Sequence, residues 1–145
     1  MERSITSADA VFILSSADFA LLATPLEGYA ADAAFTMDNA DTAETQLGVD
    51  GKLSAGWIPR SYNQTITLQA DSPSSTLFEA LVTGQDATRN VYRLNGVITL
   101  KGNQRSYTLS RGVLKNYTAM PGAQRVLQPR TYVIEWESVL AVKIA

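Results

Sequence analysis

The segment from Asp41 to Leu81 constrains the fold more than any other part of the chain. It begins with a polar stretch, LGVDGKLSAGWIPRS, that is broken by three glycines. It continues with Gln64–Ala70, QTITLQA, in which apolar and polar side chains alternate as in a half-buried strand. It ends with SPSSTLFEAL, which has the pattern of a capped helix. A strand followed at once by a helix predicts a sheet with that helix across one face or edge.

We expect one helix, over residues 73–83. Asp71 or Ser72 can cap its first turn, and Pro73 suits the first helical position, where its missing N–H costs little. Gly84 is a typical C-terminal stop. The apolar side chains share one face of this helix: Leu77, Phe78, Leu81 and Val82.

Turn signals elsewhere predict a mainly β chain. Asp50-Gly51 favours a type I′ hairpin turn, in which both central residues have positive φ, and Asn95-Gly96 predicts a second two-residue hairpin. Thr131–Ser138 alternates again, with Tyr132, Ile134 and Trp136 on one face. Shorter strands are expected at Val11–Leu14, Phe19–Ala23, Tyr29–Met37, Val91–Leu94, Val97–Leu100, Ser106–Leu109 and Gly112–Ala119, with a turn at Gly102-Asn103.

Composition excludes several classes of function. At 145 residues the chain is long enough for one well-packed domain. It contains no cysteine and no histidine, which excludes disulfides, Cys/His metal sites and Ser-His-Asp or Cys-His nucleophiles. No apolar run approaches the roughly 18 residues of a membrane helix, and no signal peptide is predicted. We therefore expect a protein that is cytosolic when made.

Charge is distributed unevenly along the chain. The first 50 residues hold nine acids and one base, whereas residues 101–145 hold seven bases and two acids. Such a molecule can attract its own copies head to tail. The alternative is that the two regions lie side by side in one fold and neutralise each other.

Three groups of side chains are candidate sites. Glu135 and Glu137 share a strand face and could act as an acid–base pair, or they could simply be a solvated or interface-facing surface. Trp57 could anchor an interface or fold back onto the core. Five bases interleaved with Tyr107 and Tyr117 could bind nucleic acid or an acidic neighbouring copy: Arg105, Arg111, Lys115, Arg125 and Arg130.

The order of elements resembles the tail tube protein of contractile-tailed bacteriophages, the myovirus tail tube family. The resemblance is carried by a hairpin with Gly-x-Asp-Gly, an alternating Thr/Ile/Leu strand, Ser-Pro-Ser and a short apolar helix, and it is strongest over Leu47–Leu81 and Val91–Trp136. It implies a β-sandwich or barrel with one short flanking helix and a long inter-strand loop. In that family six copies form a ring, and rings stack into a hollow tube through which the genome is delivered.

Carried onto this chain, the resemblance implies a single tail-tube-like domain over residues 1–145, with residues 38–61 as the inter-subunit excursion. Asp50, Lys52, Trp57 and Arg60 are its expected contact residues. The implied partners are copies of the chain, a sheath protein, and baseplate and tail-terminator proteins. DNA passes through the lumen without specific binding, and no membrane is involved.

The resemblance also implies that the chain is not an enzyme, that it uses no cofactor or metal, and that it resides in the virion tail after assembly in the host cytoplasm. Two alternatives stay open. One is a tube-like component of a baseplate, a tail end or a secretion tube. The other is a monomeric β-barrel that binds a small ligand.

Overall fold

The computed structural model describes residues 10–16, 21–25, 35–100 and 104–143. One helix lies among them, α1 (Ser74–Thr88). The strands are β1 (Ala10–Ser16), β2 (Leu21–Pro25), β3 (Phe35–Met37), β4 (Ala43–Leu47), β5 (Leu53–Trp57), β6 (Tyr62–Leu68), β7 (Leu94–Leu100), β8 (Arg105–Tyr117), β9 (Arg130–Trp136) and β10 (Ser138–Lys143).

Eight of these strands form one antiparallel sheet in the order β2-β1-β7-β8-β9-β6-β3, with β10 also paired to β8. The 13-residue β8 is long enough to pair with β10 along its first part and with β9 along its second. The sheet curls until Phe12 in β1 meets Phe35 in β3 edge to face, with ring centroids 5.8 Å apart. The result is a half-barrel wrapped around one core, as expected for a mainly β chain with a single flanking helix.

The core lies on the concave face of this sheet. It is formed by the apolar side chains that alternate along the strands, as the sequence predicts. Ile66, Leu68, Tyr132 and Ile134 are all fully buried. Trp136 is fully buried as well. Its indole N–H donates a hydrogen bond of 2.9 Å to the Gln64 side-chain oxygen, so the polar group of a large apolar side chain is satisfied inside the core.

Helix α1 covers the concave face. Phe78 and Leu81 are fully buried, and the Phe78 ring stacks on Tyr132 at 4.3 Å. The Ser72 hydroxyl accepts a hydrogen bond of 3.2 Å from the N–H of Ser74, where the helix begins. No helix within the described residues is long and apolar enough to cross a membrane.

The predicted end of the helix at Gly84 is wrong. Glycine costs about 1 kcal/mol relative to alanine inside a helix, which is too little to end one that tertiary contacts hold. Beyond it, the Gln85 side chain accepts a hydrogen bond of 3.0 Å from the N–H of Tyr92 and ties the last turn to the segment before β7. The helix ends where Arg89 adopts the left-handed conformation, with φ of 55°.

The predicted hairpin at Asn95-Gly96 is also wrong, because both residues lie inside β7. Gly96 faces the core, and a Cβ there would lie 3.0 Å from the Phe12 ring and 3.3 Å from the Trp136 ring. Asn95 accepts a hydrogen bond of 3.2 Å from the backbone N–H of Arg111. Gly96 therefore allows close packing, and Asn95 contacts the neighbouring strand. The chain reverses between Leu100 and Arg105, which are paired in the β7–β8 ladder.

The strands expected at Ser106–Leu109 and Gly112–Ala119 are one strand, β8, which bends at Arg111, where φ is 50°. The strand expected at Val91–Leu94 begins only at Leu94. Parts of other predictions lie outside the described residues, namely 19–20, 29–34 and the turn at 102–103.

The long excursion contains regular structure, because β4 and β5 form a hairpin within it. The predicted type I′ turn is wrong: in this turn only Gly51 has a positive φ, of 84°. Gly51 N–H donates to the Gly48 carbonyl at 3.0 Å, and Gly48 N–H donates to the Lys52 carbonyl at 2.9 Å. This is a three-residue loop with a glycine bulge, a common alternative to the two-residue turn.

Arg130 is a buried cation that joins three parts of the fold. Its side chain is 4% exposed and forms an ion pair of 2.6 Å with Glu79 on α1. The same guanidinium donates to the carbonyl oxygens of Thr118 and Ala119, at 3.1 to 3.2 Å. A buried charge is tolerated only when it is paired and hydrogen-bonded, and here both conditions are met.

Candidate assembly surface

The β4–β5 hairpin stands apart from the curled sheet. It forms a two-stranded sheet of its own, with Ala43 opposite Trp57 and Leu47 opposite Leu53. Every residue of both strands is exposed. The hairpin therefore contributes little to the core and has a large surface open to contact.

One face of the hairpin is apolar. Residues directly opposite each other in a ladder point to the same side, so Leu47, Leu53 and Trp57 share one face. We call these three residues the hairpin apolar face; their exposures are 69%, 66% and 76%. Glu44, Gln46 and Ser54 lie on the opposite, polar face.

This arrangement is stable only with help from elsewhere. An isolated two-stranded hairpin is marginal at best in water. Burying one leucine side chain contributes roughly 1.5–3 kcal/mol. Covering the hairpin apolar face would therefore change the stability of the hairpin substantially, and the face is suited to burial against another molecule.

Both ends of the excursion are fixed to β6. On one side the N–H of Asp38 donates to the carbonyl oxygen of Asn63 at 2.9 Å. On the other side Arg60 donates to the Tyr62 hydroxyl at 3.0 Å, with its guanidinium 5.8 Å from the centre of the Tyr62 ring. The hairpin is thus presented from a defined base.

The four expected contact residues lie at three places: on the hairpin apolar face, in the turn of the hairpin and at its base. Trp57 lies on the hairpin apolar face, so its alternative placement in the core is wrong. Asp50 accepts a hydrogen bond of 3.1 Å from the N–H of Lys52 and helps to shape the exposed turn. Arg60 is held at the base by Tyr62. Whether these residues contact another subunit stays a prediction.

Sequence reasoning missed Leu47 and Leu53. The signal was present, because once the turn is placed at residues 49–51 the ladder register puts both leucines opposite each other and on the side of Trp57.

The two candidate glutamates lie in separate ion pairs. Glu135 is 3.3 Å from Lys115, and Glu137 is 2.6 Å from Arg111. All four side chains are more than a third exposed, and such pairs contribute about 0–1 kcal/mol each. The arrangement is that of a solvated strand surface, which was the alternative to an acid–base pair.

The candidate nucleic-acid-binding bases do not gather on one surface. Arg111 and Lys115 are in the ion pairs just described, and Arg130 is buried against Glu79. Arg105 begins β8, and Arg125 lies on the loop before β9. Within the described part of the chain, no cluster of carboxylates is arranged to hold a metal ion.

A second surface is notable for its lack of charge. It is the convex face of β10, β7, β1 and the first half of β8, residues 105–110, where its side chains point away from the buried Leu109, Ile98 and Phe12. We call it the neutral face; its members are Ser138, Leu140, Val142, Ser106, Thr108, Ser110, Asn95, Val97, Thr99, Val11, Ile13 and Ser15. None of these side chains carries a charge. The second half of β8 carries the exposed Arg111 and Lys115 and lies outside this surface.

The sequence matches the family model described as tail fiber protein gp32 over residues 3–140. The chain belongs to this family. A search of curated protein sequences finds no significant match.

Solved structures share the fold. A chain of the sheath–tube complex of an extracellular contractile injection system, PVC in its extended state, aligns with a TM-score of 0.63 at 12% identity, covering 92% of this chain and 88% of that one. A chain of the tube-terminating cap of the anti-feeding prophage gives 0.60 at 13% identity, covering 99% and 93%. A chain of the baseplate of the same particle gives 0.60 at 12% identity, covering 99% of each chain.

The expected tail-tube-like fold is therefore confirmed, as is the relationship to contractile-tail components. The family match and the shared fold together support the statement that the chain is a structural component of a tail or tail-like particle.

Proposed function

We propose that the chain is a self-assembling subunit whose copies close into rings of six, and that these rings stack into the hollow inner tube of a contractile tail. The observation that carries the proposal is the hairpin apolar face, where three large apolar side chains stay exposed together on a hairpin that stands apart from the packed core. Exposed apolar surfaces on a folded protein mark sites of contact with another molecule. A structure that shares the fold comes from a repeating assembly, the sheath–tube complex. Other copies of this chain are therefore the first candidates for the partner that covers the hairpin apolar face.

Ring closure has a structural basis in β10. Among the described strands, β10 pairs with β8 alone, so no described strand takes up the N–H and C=O groups of its other edge. Such an edge is a template for pairing with another chain. A head-to-tail contact of this kind closes into a ring when the rotation between copies allows it.

The neutral face suits the wall of a channel for DNA. A wall rich in lysine or arginine would bind the phosphate backbone through release of counterions. Hydroxyl and aliphatic side chains offer no such attraction, so a polyanion can move past them. In this proposal a sheath surrounds the tube, terminator and baseplate proteins meet its ends, and the role is structural, without catalysis. The subunit assembles in the host cytoplasm and resides in the virion tail.

A second candidate keeps the fold and changes the place. The chain covers 99% of its length in alignments with both a tube-terminating cap and a baseplate chain, which favours a component of a tube end as the runner-up. Such a subunit would form a closed ring but would not stack into a polymer of its own.

Negative-stain electron microscopy of the purified protein over a concentration series separates these candidates. The proposal predicts rings at low concentration and hollow stacked tubes at high concentration. Single rings that never stack would favour the component of a tube end. A monomer at every concentration would contradict self-assembly and would favour a monomeric ligand-binding barrel.

A further inference from the structure

A second group of exposed apolar side chains lies on the loop of residues 118–129, between β8 and β9. Met120, Val126 and Leu127 are 58–74% exposed, and we call them the loop patch. A cavity of about 520 Å³ adjoins it, lined in part by Gln69 and Ala70 together with Val126 and Leu127. The loop thus combines apolar side chains with a concave surface.

The loop patch and the hairpin lie at opposite ends of the same ladder. In the pairing of β6 with β9, Tyr62 is opposite Trp136 and Leu68 is opposite Arg130. The hairpin leads into β6 at Tyr62, whereas the loop leads into β9 at Arg130. A seven-residue ladder separates its two ends by roughly 20 Å.

The loop is held in place by hydrogen bonds. Thr118 and Thr131 bond to each other through backbone and side chain, including Thr118 N–H to the Thr131 carbonyl at 2.9 Å. The N–H of Gln128 donates to the Gly122 carbonyl at 2.8 Å. With Arg130 fixed to the first carbonyls of the loop, the loop patch is presented on a supported scaffold.

These positions exclude contact between the two surfaces within one molecule, since both are fixed at their bases and lie at opposite ends. They suit contact between two copies. Charge does not oppose this contact. Residues 38–61 carry four acids and two bases, whereas Arg125 and Asp71 both line the receiving cavity and balance each other. A hairpin with net negative charge and an apolar face therefore meets a nearly neutral surface with exposed apolar side chains.

We propose that the hairpin apolar face of one copy docks on the loop patch of the next, with Trp57 entering the cavity beside Val126 and Leu127. The inference rests on the self-assembly proposed above and names the receiving surface. Because the two surfaces differ, the contact is heterologous and repeats from copy to copy. Repeating this contact along the direction of the β6–β9 ladder then stacks copies, and the length of one molecule along that direction sets the distance between them.

The absence of cysteine allows a direct test by cross-linking. One preparation carries Leu53→Cys, a second carries Val126→Cys, and the two are mixed and treated with a short bis-maleimide. Only an intermolecular contact joins the two variants. The matched control replaces Val126→Cys with Ala87→Cys, which places an exposed thiol on α1, away from the loop. We expect at least a fivefold higher yield of the mixed dimer with Val126→Cys than with Ala87→Cys.

A second variant tests the same contact without new thiols. Leu127→Asp should raise the concentration needed for assembly at least tenfold while leaving the circular dichroism spectrum and melting temperature of the monomer unchanged. The results distinguish a failure of the proposed self-assembly from a failure of the proposed docking of the hairpin apolar face on the loop patch. Wild-type protein that never assembles contradicts both, whereas rings or tubes that form with equal cross-linking in the two mixtures, or with no effect of Leu127→Asp, overturn this inference alone.

Discussion

The two tryptophans of the chain occupy opposite environments. Trp136 is fully buried on the concave face of the sheet, with its N–H bonded to Gln64 and its ring against Gly112. Trp57 is 76% exposed on a hairpin that stands apart from the sheet. The same side chain thus stabilises the domain in one region and is left available for a partner in the other. Under the proposed self-assembly, folding and assembly depend on different regions of the molecule, and variants in the two regions should affect different measurements.

The largest expected effect on folding is that of Trp136→Ala. Removing a buried tryptophan costs about 3–5 kcal/mol, through lost burial and the cavity left behind. The change also leaves the buried side-chain oxygen of Gln64 without its donor. Denaturant unfolding of the monomer measures the difference. A loss below about 1 kcal/mol would show that the concave face is not the core that the structure describes.

Gly112→Ala should have a smaller but clear effect. A Cβ at this position would overlap the Trp136 ring, so the ring or the strand must shift. Overpacking of this kind costs about 1–3 kcal/mol. The same unfolding measurement applies, with Gly56→Ala as the matched control, since nothing lies within 4 Å of a Cβ at Gly56. Equal stability of the two variants would contradict the close packing at Gly112.

The smallest effect on folding belongs to Trp57→Ala, which should leave the free energy of unfolding of the monomer within about 0.5 kcal/mol of wild type. Assembly should nevertheless weaken, because aromatic anchors carry a large share of the energy of an interface. Sedimentation over a concentration series measures the shift. Trp57→Phe is the conservative control and should retain most of the assembly.

Either of two results would remove the distinction between the tryptophans. Wild-type assembly by Trp57→Ala would exclude Trp57 as an anchor. A large loss of monomer stability in the same variant would show that the hairpin is part of the folding unit rather than a surface for a partner.

The buried faces were predictable from the sequence. Ile66 and Leu68 alternate with threonines, and Tyr132, Ile134 and Trp136 alternate with Val133 and Glu135. Period-two alternation of this kind fixes which face of a strand is buried. The position of the helix could be predicted for a related reason, since its apolar residues recur at helical spacing.

Local signals failed where tertiary contacts decide the outcome. Asn95-Gly96 has the composition of a turn, but Gly96 is needed where the Phe12 and Trp136 rings approach the strand. Both rings come from distant parts of the chain, so the sequence around Gly96 does not predict that they pack against it. Gly84 is a similar case, because the last turn of the helix is held by the contact between Gln85 and Tyr92.

The candidate assembly surface was predictable only in part. Trp57 stands out in a polar segment, whereas Leu47 and Leu53 become neighbours of Trp57 only when the register of the hairpin is known. The loop patch gave no periodic signal, since Met120, Val126 and Leu127 share no strand or helix. Their common exposure is a property of the folded loop.

Hydrogen exchange of the hairpin amides tests the central claim most directly. Hydrogen-bonded and non-bonded pairs alternate along an antiparallel ladder, and Gly48 N–H bonds to the Lys52 carbonyl, so the amides that bridge β4 and β5 include those of Gln46 and Ser54. These amides should exchange rapidly in the monomer, because the hairpin has little burial of its own. In assembled protein they should become protected, while the amides of β9 are protected in both states. Hairpin amides that exchange equally fast before and after assembly would contradict the claim that this hairpin is the surface through which the chain assembles.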